Sequence, residues 1–477
     1  MTRTLMPLVA TKVIATVGPA CDTPEGVTSL IHHGVDVLRL NFSHGTLDGH
    51  AKTLAAARQG IAQSERPIAI LGDLCGPKIR LGDFETRPIE PGQSLMIGRE
   101  ATGDVLDTNY DPLIDEIETG HRLLIDDGAL RFLVVEKNDD TIKCRCINGG
   151  ELKRRKGVNL PDTRLSLPTL TDRDRECVDW AIEHQLDYLA LSFVRHASDI
   201  TELRSLLRGA PIHLVAKIEK PEALHEIDAI IHESDAIMIA RGDLGVEMDL
   251  ADVPIIQKDL IRRCRAAGKP AIVATQMLQS MVDSSSPTRA EVSDVANAIF
   301  DGTDAVMLSG ETAVGKHPDK AVSTMDHIAA EIERTLQDDA QSGEPTMPQV
   351  DIREQDATLA RGAWQMAHWM EIAAVVVFSR GGTNARIMSK LRLPVPVVAL
   401  TSDTGNAGRM SMYYGIVPLL VHIPTRTSQQ IGMVNDVLLE RGLAKIGQRV
   451  LIIGAIAAGD MAPHISNAIM IHEIVDS

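Results

Sequence analysis

Eight short apolar runs, each closing abruptly on polar residues, constrain this chain more than any other feature. They are TKVIATVG from Thr11, VDVLRLNFS from Val35, IAILGD from Ile68, DYLALSF from Asp187, HLVAKIE from His213, AIMIARGD from Ala236, AIVATQM from Ala271 and AVMLSGE from Ala305. Runs this short and this rich in β-branched residues read as strands buried on both faces. Most are separated by room for one amphipathic helix, such as ITELRSLLRG after the fourth and VPIIQKDLIRRCRAAG after the sixth. Continuous apolar strands alternating with helices specify a covered parallel sheet, and eight such units close into a (β/α)8 TIM barrel. The expected fold class is α/β.

The polar residues stand at the C-terminal ends of the runs: Arg39, Asn41 and Ser43; Asp73; Ser192; Lys217 and Glu219; Arg241 and Asp243; Thr275; Ser309 and Glu311. In this barrel type that end is the face on which active sites are built. Any one of these residues, taken singly, reads as a solvated strand end. Their repetition from strand to strand points to a site.

The repeat is broken twice. Between the third and fourth runs lies a long stretch, including PGQSLMIG and HRLLIDDGALRFLVVEKNDDTIKCRCINGG, that reads as short strands with turn signals. Residues 77–160 are therefore expected to form a small inserted all-β lid domain on the active-site face, dividing the barrel into 1–76 and 161–337. After the last barrel helix, the polar Gly- and Pro-containing segment 338–356 reads as a linker. Beyond it, VVVFSR, VPVVALTSD, GIVPLLVHI, RVLIIGA and AIMIHEIV alternate with helical stretches, so 357–477 is expected as a separate C-terminal α/β domain.

Charge narrows the ligand. A net charge of −17 repels a phosphate polymer or an anionic membrane surface, so no nucleic acid or membrane partner is expected. An anionic small molecule would need positive charge gathered locally. No run reaches the ~18 apolar residues of a membrane helix, and the N-terminus lacks a signal-type apolar region, so a cytoplasmic location is expected. The six cysteines are scattered without CxxC spacing and read as reduced thiols.

Lys217 and Glu219 alternate on one strand end and so share a face, with Asp243 at the end of the next strand. Two carboxylates with little else polar suit Mg²⁺, which keeps several waters and completes its shell from substrate phosphate. An ion pair with the lysine is the plainer reading of the same residues. The RGDLG turn offers free amides at a helix start, another anion-binding device. Arg39 and Arg80 are candidate phosphate clamps, since guanidinium presents a planar fork, although either one alone also suits a structural salt bridge. Thr275, Ser309 and Glu311 can pass a proton through water. The basic run KRRK, Lys153 to Lys156, closes the inserted domain. Anion clamps, a carboxylate pair, a central lysine and a closing lid together suggest phosphoryl transfer. The chain has no GxxxxGK[ST] loop and no HRD or DFG set, so neither familiar nucleotide scaffold is expected.

RLNFSHG (Arg39 to Gly45), GDLCGPKIR (Gly72 to Arg80), KGVNLP (Lys156 to Pro161), AKIE, MIARGDLGVE (Met238 to Glu247), ATQMLQSM (Ala274 to Met281) and PTRAEVSDVANAIFDGTDAVMLSGETA (Pro287 to Ala313) strongly resemble the pyruvate kinase family. The resemblance runs over nearly all of residues 10 to 335 and is looser in the C-terminal domain. It implies Mg²⁺-dependent transfer of phosphate from phosphoenolpyruvate to ADP, giving ATP and pyruvate, with Mn²⁺ as a possible substitute metal. By position it implies Glu219 and Asp243 as metal ligands, with Lys217 neutralising the phosphoryl group in flight. Arg39 would touch phosphate with Arg80 nearby. The Gly242 and Asp243 amides and the Thr275 hydroxyl would hold the substrate carboxylate. Ser309 and Glu311 resemble a relay that protonates the enolate, and Asn41, His44, Arg80 and Lys156 resemble nucleotide-side contacts. A homotetramer and regulation through the C-terminal domain are implied by the family alone.

Two departures refine that expectation. Most family members that need K⁺ carry glutamate where this chain has Lys78 and threonine where it has Leu74; the cation there is held by residues matching Asn41, Ser43, Asp73 and that threonine. Lys78 is therefore expected to stand in for the ion, with Asp73, Asn41 and Ser43 around it, and K⁺ is not expected to be required. The other departure is SRGGTNAR, where the family's effector loop typically reads TxSGxTA. Ser379, Arg380, Gly381, Gly382 and Thr383 are the candidate contacts for a sugar-phosphate or nucleotide effector. Two rival readings are a barrel lyase or aldolase acting on an enolpyruvate-like acid, and a non-catalytic sugar-phosphate sensor. The first leaves Lys217, Lys156 and the lid unexplained, and the second sits badly with an intact Lys217 and Glu219.

Overall fold

The computed structural model describes residues 9–339, 354–454 and 468–475. All eight apolar runs are parallel strands of one closed barrel: β1 (Lys12–Thr16), β2 (Val35–Asn41), β3 (Ala69–Asp73), β4 (Tyr188–Leu191), β5 (His213–Ile218), β6 (Ala236–Ala240), β7 (Ala271–Ala274) and β8 (Ala305–Leu308). Each pairs with its neighbours in sequence order, and β8 closes on β1 through Lys12–Ala305 to Ala15–Leu308. β3 and β4 are adjacent although the inserted domain separates them in the chain.

The pleat decides which residues look inward. Val37, Leu71, Tyr188, Ala190, Val215 and Met238 belong to a buried cluster lining the barrel. Their strand neighbours Leu38, Ile70, Leu189, Leu191, Leu214 and Ala216 belong to another, shared with helix residues such as Leu30, Leu54 and Leu203. Continuing the inward parity by two residues along each strand reaches Arg39, Asp73, Ser192 and Lys217. The barrel interior thus runs from an apolar floor to a polar mouth. Helices are fixed at their starts by side-chain caps: Thr23 caps Pro24–His32, while Thr171 with Asp174 and Thr288 with Glu291 make reciprocal capping boxes.

Between β3 and β4 the chain forms a six-stranded sheet in the order Val158–Asn159, Arg122–Ile125, Leu130–Lys137, Thr141–Asn148, Ser94–Gly98 and Val105–Leu106. A two-stranded ribbon, Arg87–Ile89 with Gly150–Leu152, lies alongside, and Leu113–Glu116 adds one helical turn. This unit has its own core, built around Leu95, Ile97, Leu123, Phe132, Val134 and Ile142.

The C-terminal part is a five-stranded sheet of β9 (Ala374–Phe378), β10 (Val397–Thr401), β11 (Ile416–Leu420), β12 (Arg449–Gly454) and β13 (Ala468–Glu473), in the order β11-β10-β9-β12-β13 with only β13 antiparallel. The expected linker lies mostly outside the described residues; helices Pro318–Asp339 and Glu354–Trp369 reach into its two ends.

This part packs beneath the barrel floor, opposite the polar mouth. Ser411 Oγ donates to Asp36 O and accepts from Ala69 N, and Tyr188 Oη donates to Arg409 O at 2.7 Å. The seam also buries charge: Lys390 Nζ lies 2.8 Å from Asp304 Oδ2, with Arg392 3.5 Å from the other oxygen. Burial pulls the Lys390 ammonium down to about 8 despite Asp304.

Candidate active site

The barrel mouth is organised around Asp73, which is 1% exposed. Arg39 Nε donates to Asp73 Oδ2 at 2.8 Å, and the other end of the guanidinium reaches the Thr16 hydroxyl at 2.9 Å. Lys217 Nζ lies 3.2 Å from Asp73 Oδ1, 2.9 Å from Glu219 Oε1 and 2.6 Å from Ser192 Oγ. Burial alone would raise the Asp73 carboxyl, but Lys217 and Arg39 outweigh it and hold it below the ordinary range. Burial alone would lower the Lys217 ammonium, and Asp73 and Glu219 more than reverse that, so Lys217 is a buried but permanent cation.

Glu219 is 1% exposed and accepts the Phe193 amide at 2.8 Å. Burial raises its carboxyl, Lys217 pulls it down and Asp243 pushes it up again, so that it stays above the ordinary carboxylate range. Asp243 sits in the first turn of helix Arg241–Glu247, which starts where β6 ends. Two mutually repelling carboxylates without histidine or cysteine are a donor set that fits Mg²⁺. Among the described residues no group of three or more His, Cys, Asp or Glu side chains forms a cage, so the rest of such an ion's shell would come from substrate and water.

Thr275, with φ 72°, turns its hydroxyl back to accept the Gly242 amide at 2.7 Å. A Cβ on Gly242 would lie 3.1 Å from that hydroxyl, so glycine permits the close approach. Arg241, read as a strand-end residue, points away and forms a two-pronged pair with Asp294 at 2.6 Å. Between the barrel and the inserted sheet opens a cleft of about 620 Å³, including solvent-open space, whose lining includes Lys78, Asn159, Phe193, Lys220 and Asp243.

The family model described as the pyruvate kinase barrel domain matches residues 8–322, and that of the pyruvate kinase alpha/beta domain matches 357–472. The chain belongs to the pyruvate kinase family. It is accordingly an enzyme, a phosphotransferase. A pyruvate kinase of Geobacillus stearothermophilus is 38% identical over 98% of this chain and 80% of its own length; one of Agrobacterium vitis is 41% identical over 93% and 94%. A solved pyruvate kinase of Cryptosporidium parvum superposes with a TM-score of 0.89 at 34% identity, covering 98% of this chain and 96% of that one. The family as a whole takes phosphoenolpyruvate and ADP and depends on Mg²⁺.

In this chain Arg39, Asp73, Lys217 and Glu219 form one connected group, whereas the expected nucleotide-side residues are dispersed. Arg80 lies on the inserted unit, bonding Arg155 O and bridging Gly157. Lys156 pairs with Asp126 at 2.8 Å, His44 is exposed, and Asn41 Oδ1 accepts the Ser43 amide. The KRRK run is not free charge: Lys153 pairs with Glu151, both arginines face Asp83, and Lys156 meets Asp126.

Lys78 departs from expectation. Its ammonium pairs with Asp127 of the inserted sheet at 3.9 Å, and its chain packs where a Cβ on Gly157 would fall. The positive partners of Asp73 are Arg39 and Lys217 instead, and Lys78 lines the cleft. Glu311 also differs from a freely moving relay group. It is fully buried, and its oxygens accept the amides of Leu278 and Ser309, which fixes the loops after β7 and β8. Thr16 escaped the sequence reading because a threonine inside an apolar strand gives no polar signal; its place in the inward parity could have found it.

In the candidate effector loop, Ser379 is buried and its hydroxyl accepts the Ala385 amide, while Asn406 holds the carbonyls of Ser379 and Arg380. Arg380, Gly381 and Thr383 are exposed, and Gly382 supplies the left-handed turn, φ 80°, that opens helix Thr383–Lys390.

Proposed function

We propose that this enzyme transfers the phosphoryl group of phosphoenolpyruvate to ADP using Lys217, Arg39, Glu219, Asp243 and Thr275, with residues 77–160 as its lid. The observation that carries the reading is the buried Lys217 ammonium, held charged between Asp73, Glu219 and Ser192 at the barrel mouth. A phosphoryl group in transfer spreads negative charge over its oxygens, and a fixed, desolvated cation stabilises that charge without reorganising.

Arg39 presents a second cation, oriented on one side by Asp73 and on the other by Thr16. Bound substrate carboxylate would take the Gly242 amide from the Thr275 hydroxyl, so that both donate to it. Glu219 and Asp243 would hold Mg²⁺, which supplies charge neutralisation to the anionic substrate. Protonation of the enolate carbon falls to the Ser309 and Thr275 hydroxyls with water, since Glu311 is committed to two backbone amides. Arg80, Lys156, His44 and Asn41 serve the nucleotide. The part-exposed Lys156–Asp126 pair is weak enough for a diphosphate to displace.

K⁺ is not required in this reading. Leu74 is fully buried and offers no hydroxyl to a cation, and Lys78 adds a positive charge to the loop that carries Asp73. The C-terminal part, 357–477, is a regulatory domain with its effector at the exposed Arg380–Thr383 turn, and the enzyme works as a cytoplasmic homotetramer. One assay tests the chemistry: pyruvate formed from phosphoenolpyruvate with ADP, Mg²⁺ and K⁺ each omitted in turn. Omission of ADP or Mg²⁺ abolishes turnover and omission of K⁺ does not. Pyruvate formation without ADP would favour the lyase reading.

A further inference from the structure

Helix Arg241–Glu247 carries Asp243 in its first turn and ends on Glu247, which is 3% exposed. One oxygen of that carboxylate, Oε1, takes two donors: the Lys220 ammonium at 2.6 Å and the Asn159 side-chain amide at 2.8 Å. Lys220 directly follows Glu219, and Asn159 lies on the last strand of the inserted sheet, just beyond Lys156. A single buried atom therefore joins the loop beside one carboxylate of the proposed metal pair, the helix that carries the other, and the inserted domain. The same domain comes near this helix again at the Gly128 turn, where an added Cβ would lie 3.6 Å from Val246 Cγ1.

A buried ion pair is a poor source of stability, because desolvation offsets most of the attraction and apolar replacements often serve as well. Its distinctive property is direction. An apolar contact could hold the inserted domain against the barrel in many registers, whereas one carboxylate with two aimed donors holds it in few.

We propose that Glu247 is a positioning residue: through Lys220 and Asn159 it sets the register of the inserted domain over the cleft that Lys78, Asn159, Lys220 and Asp243 line. It touches no reacting atom. The inference rests on the reading of Glu219 and Asp243 as the metal-holding pair and adds to it what aligns the lid with that pair.

The test is an exchange of roles across the contact. Asn159→Ala removes the lid-side donor and lowers kcat/KM for phosphoenolpyruvate by about tenfold, with the melting midpoint unchanged within about 2 °C. Asn159→Asp sets a second carboxylate against Glu247 and lowers it by about a further tenfold. Adding Glu247→Gln to Asn159→Asp restores one donor and one acceptor and recovers at least the second of those losses. Both Asn159 variants within twofold of the parent, or a double variant no better than Asn159→Asp alone, overturns the inference. Mg²⁺ titration of Glu219→Gln reports separately: parental metal dependence there overturns the metal reading, while the Asn159 series still decides the role of Glu247.

Discussion

The Lys217 ammonium lies 3.2 Å from Asp73 Oδ1, so that β5 and β3 are tied together over the intervening β4 at the barrel mouth. Asp73→Asn keeps the shape but leaves Lys217 and Arg39 without their common carboxylate. Breaking such a buried pair costs about 3–5 kcal/mol, and steady-state kinetics are expected to show kcat reduced by about 100-fold or more. Because the native carboxyl titrates below its unfolded value of about 3.9, its contribution to stability is complete above that pH and is lost as pH falls through the lower native value. The stability gap between parent and variant should therefore narrow as pH falls below about 3.9; a gap that does not depend on pH in acid would contradict the pairing.

Lys78 bears on the monovalent ion. In potassium- and sodium-free buffer the parent enzyme is expected to be fully active, and Lys78→Glu with Leu74→Thr to be weakly active and restored by K⁺. Stimulation of the parent by orders of magnitude on adding K⁺ would overturn the reading.

His213, at the start of β5, is lowered to about 4 by burial, against the pull of Asp235. The unfolded chain binds this proton first, so stability falls as pH drops from about 6.5 to 4, by at most about 3 kcal/mol. Asp187, raised to about 6 by burial, acts with the opposite sign over much of that window. The difference between parent and His213→Gln in denaturant titrations isolates the histidine, and a difference that does not vary between pH 4 and 6.5 would refute it.

Asp304 is the carboxylate of the seam, accepting Ala271 N at 2.8 Å while it faces Lys390 and Arg392. Asp304→Asn leaves two cations under the barrel floor without their partner, at a cost of about 3–5 kcal/mol. Hydrogen exchange should rise first in helix Thr383–Lys390, ahead of the barrel strands. Unchanged protection there would mean that the seam is held by apolar packing alone.

The barrel was legible because strands buried on both faces leave continuous apolar runs, and the mouth because those runs stop on charge. Lys217 and Glu219 could be paired from their spacing alone, since alternation along a strand is fixed by the pleat. The Lys78 pairing was not legible: Asp127 belongs to a turn of the inserted sheet, and only tertiary folding brings the two together. Glu247 closes a glycine-containing helix start whose sequence signals only free amides, and its partners come from two other elements. Asp304, in GTDAV, looks like a loop residue until the C-terminal part supplies Lys390.

β3 is anchored at both ends by different parts of the protein: its first amide, Ala69 N, is held by Ser411 of the C-terminal part, and its last residue, Asp73, by Lys217 and Arg39. A strand of this length spans about 13 Å and barely stretches, since extension is limited by fixed bond geometry. It is therefore a strut of fixed length, with the C-terminal part fastened at one end and the charge cluster of the mouth at the other.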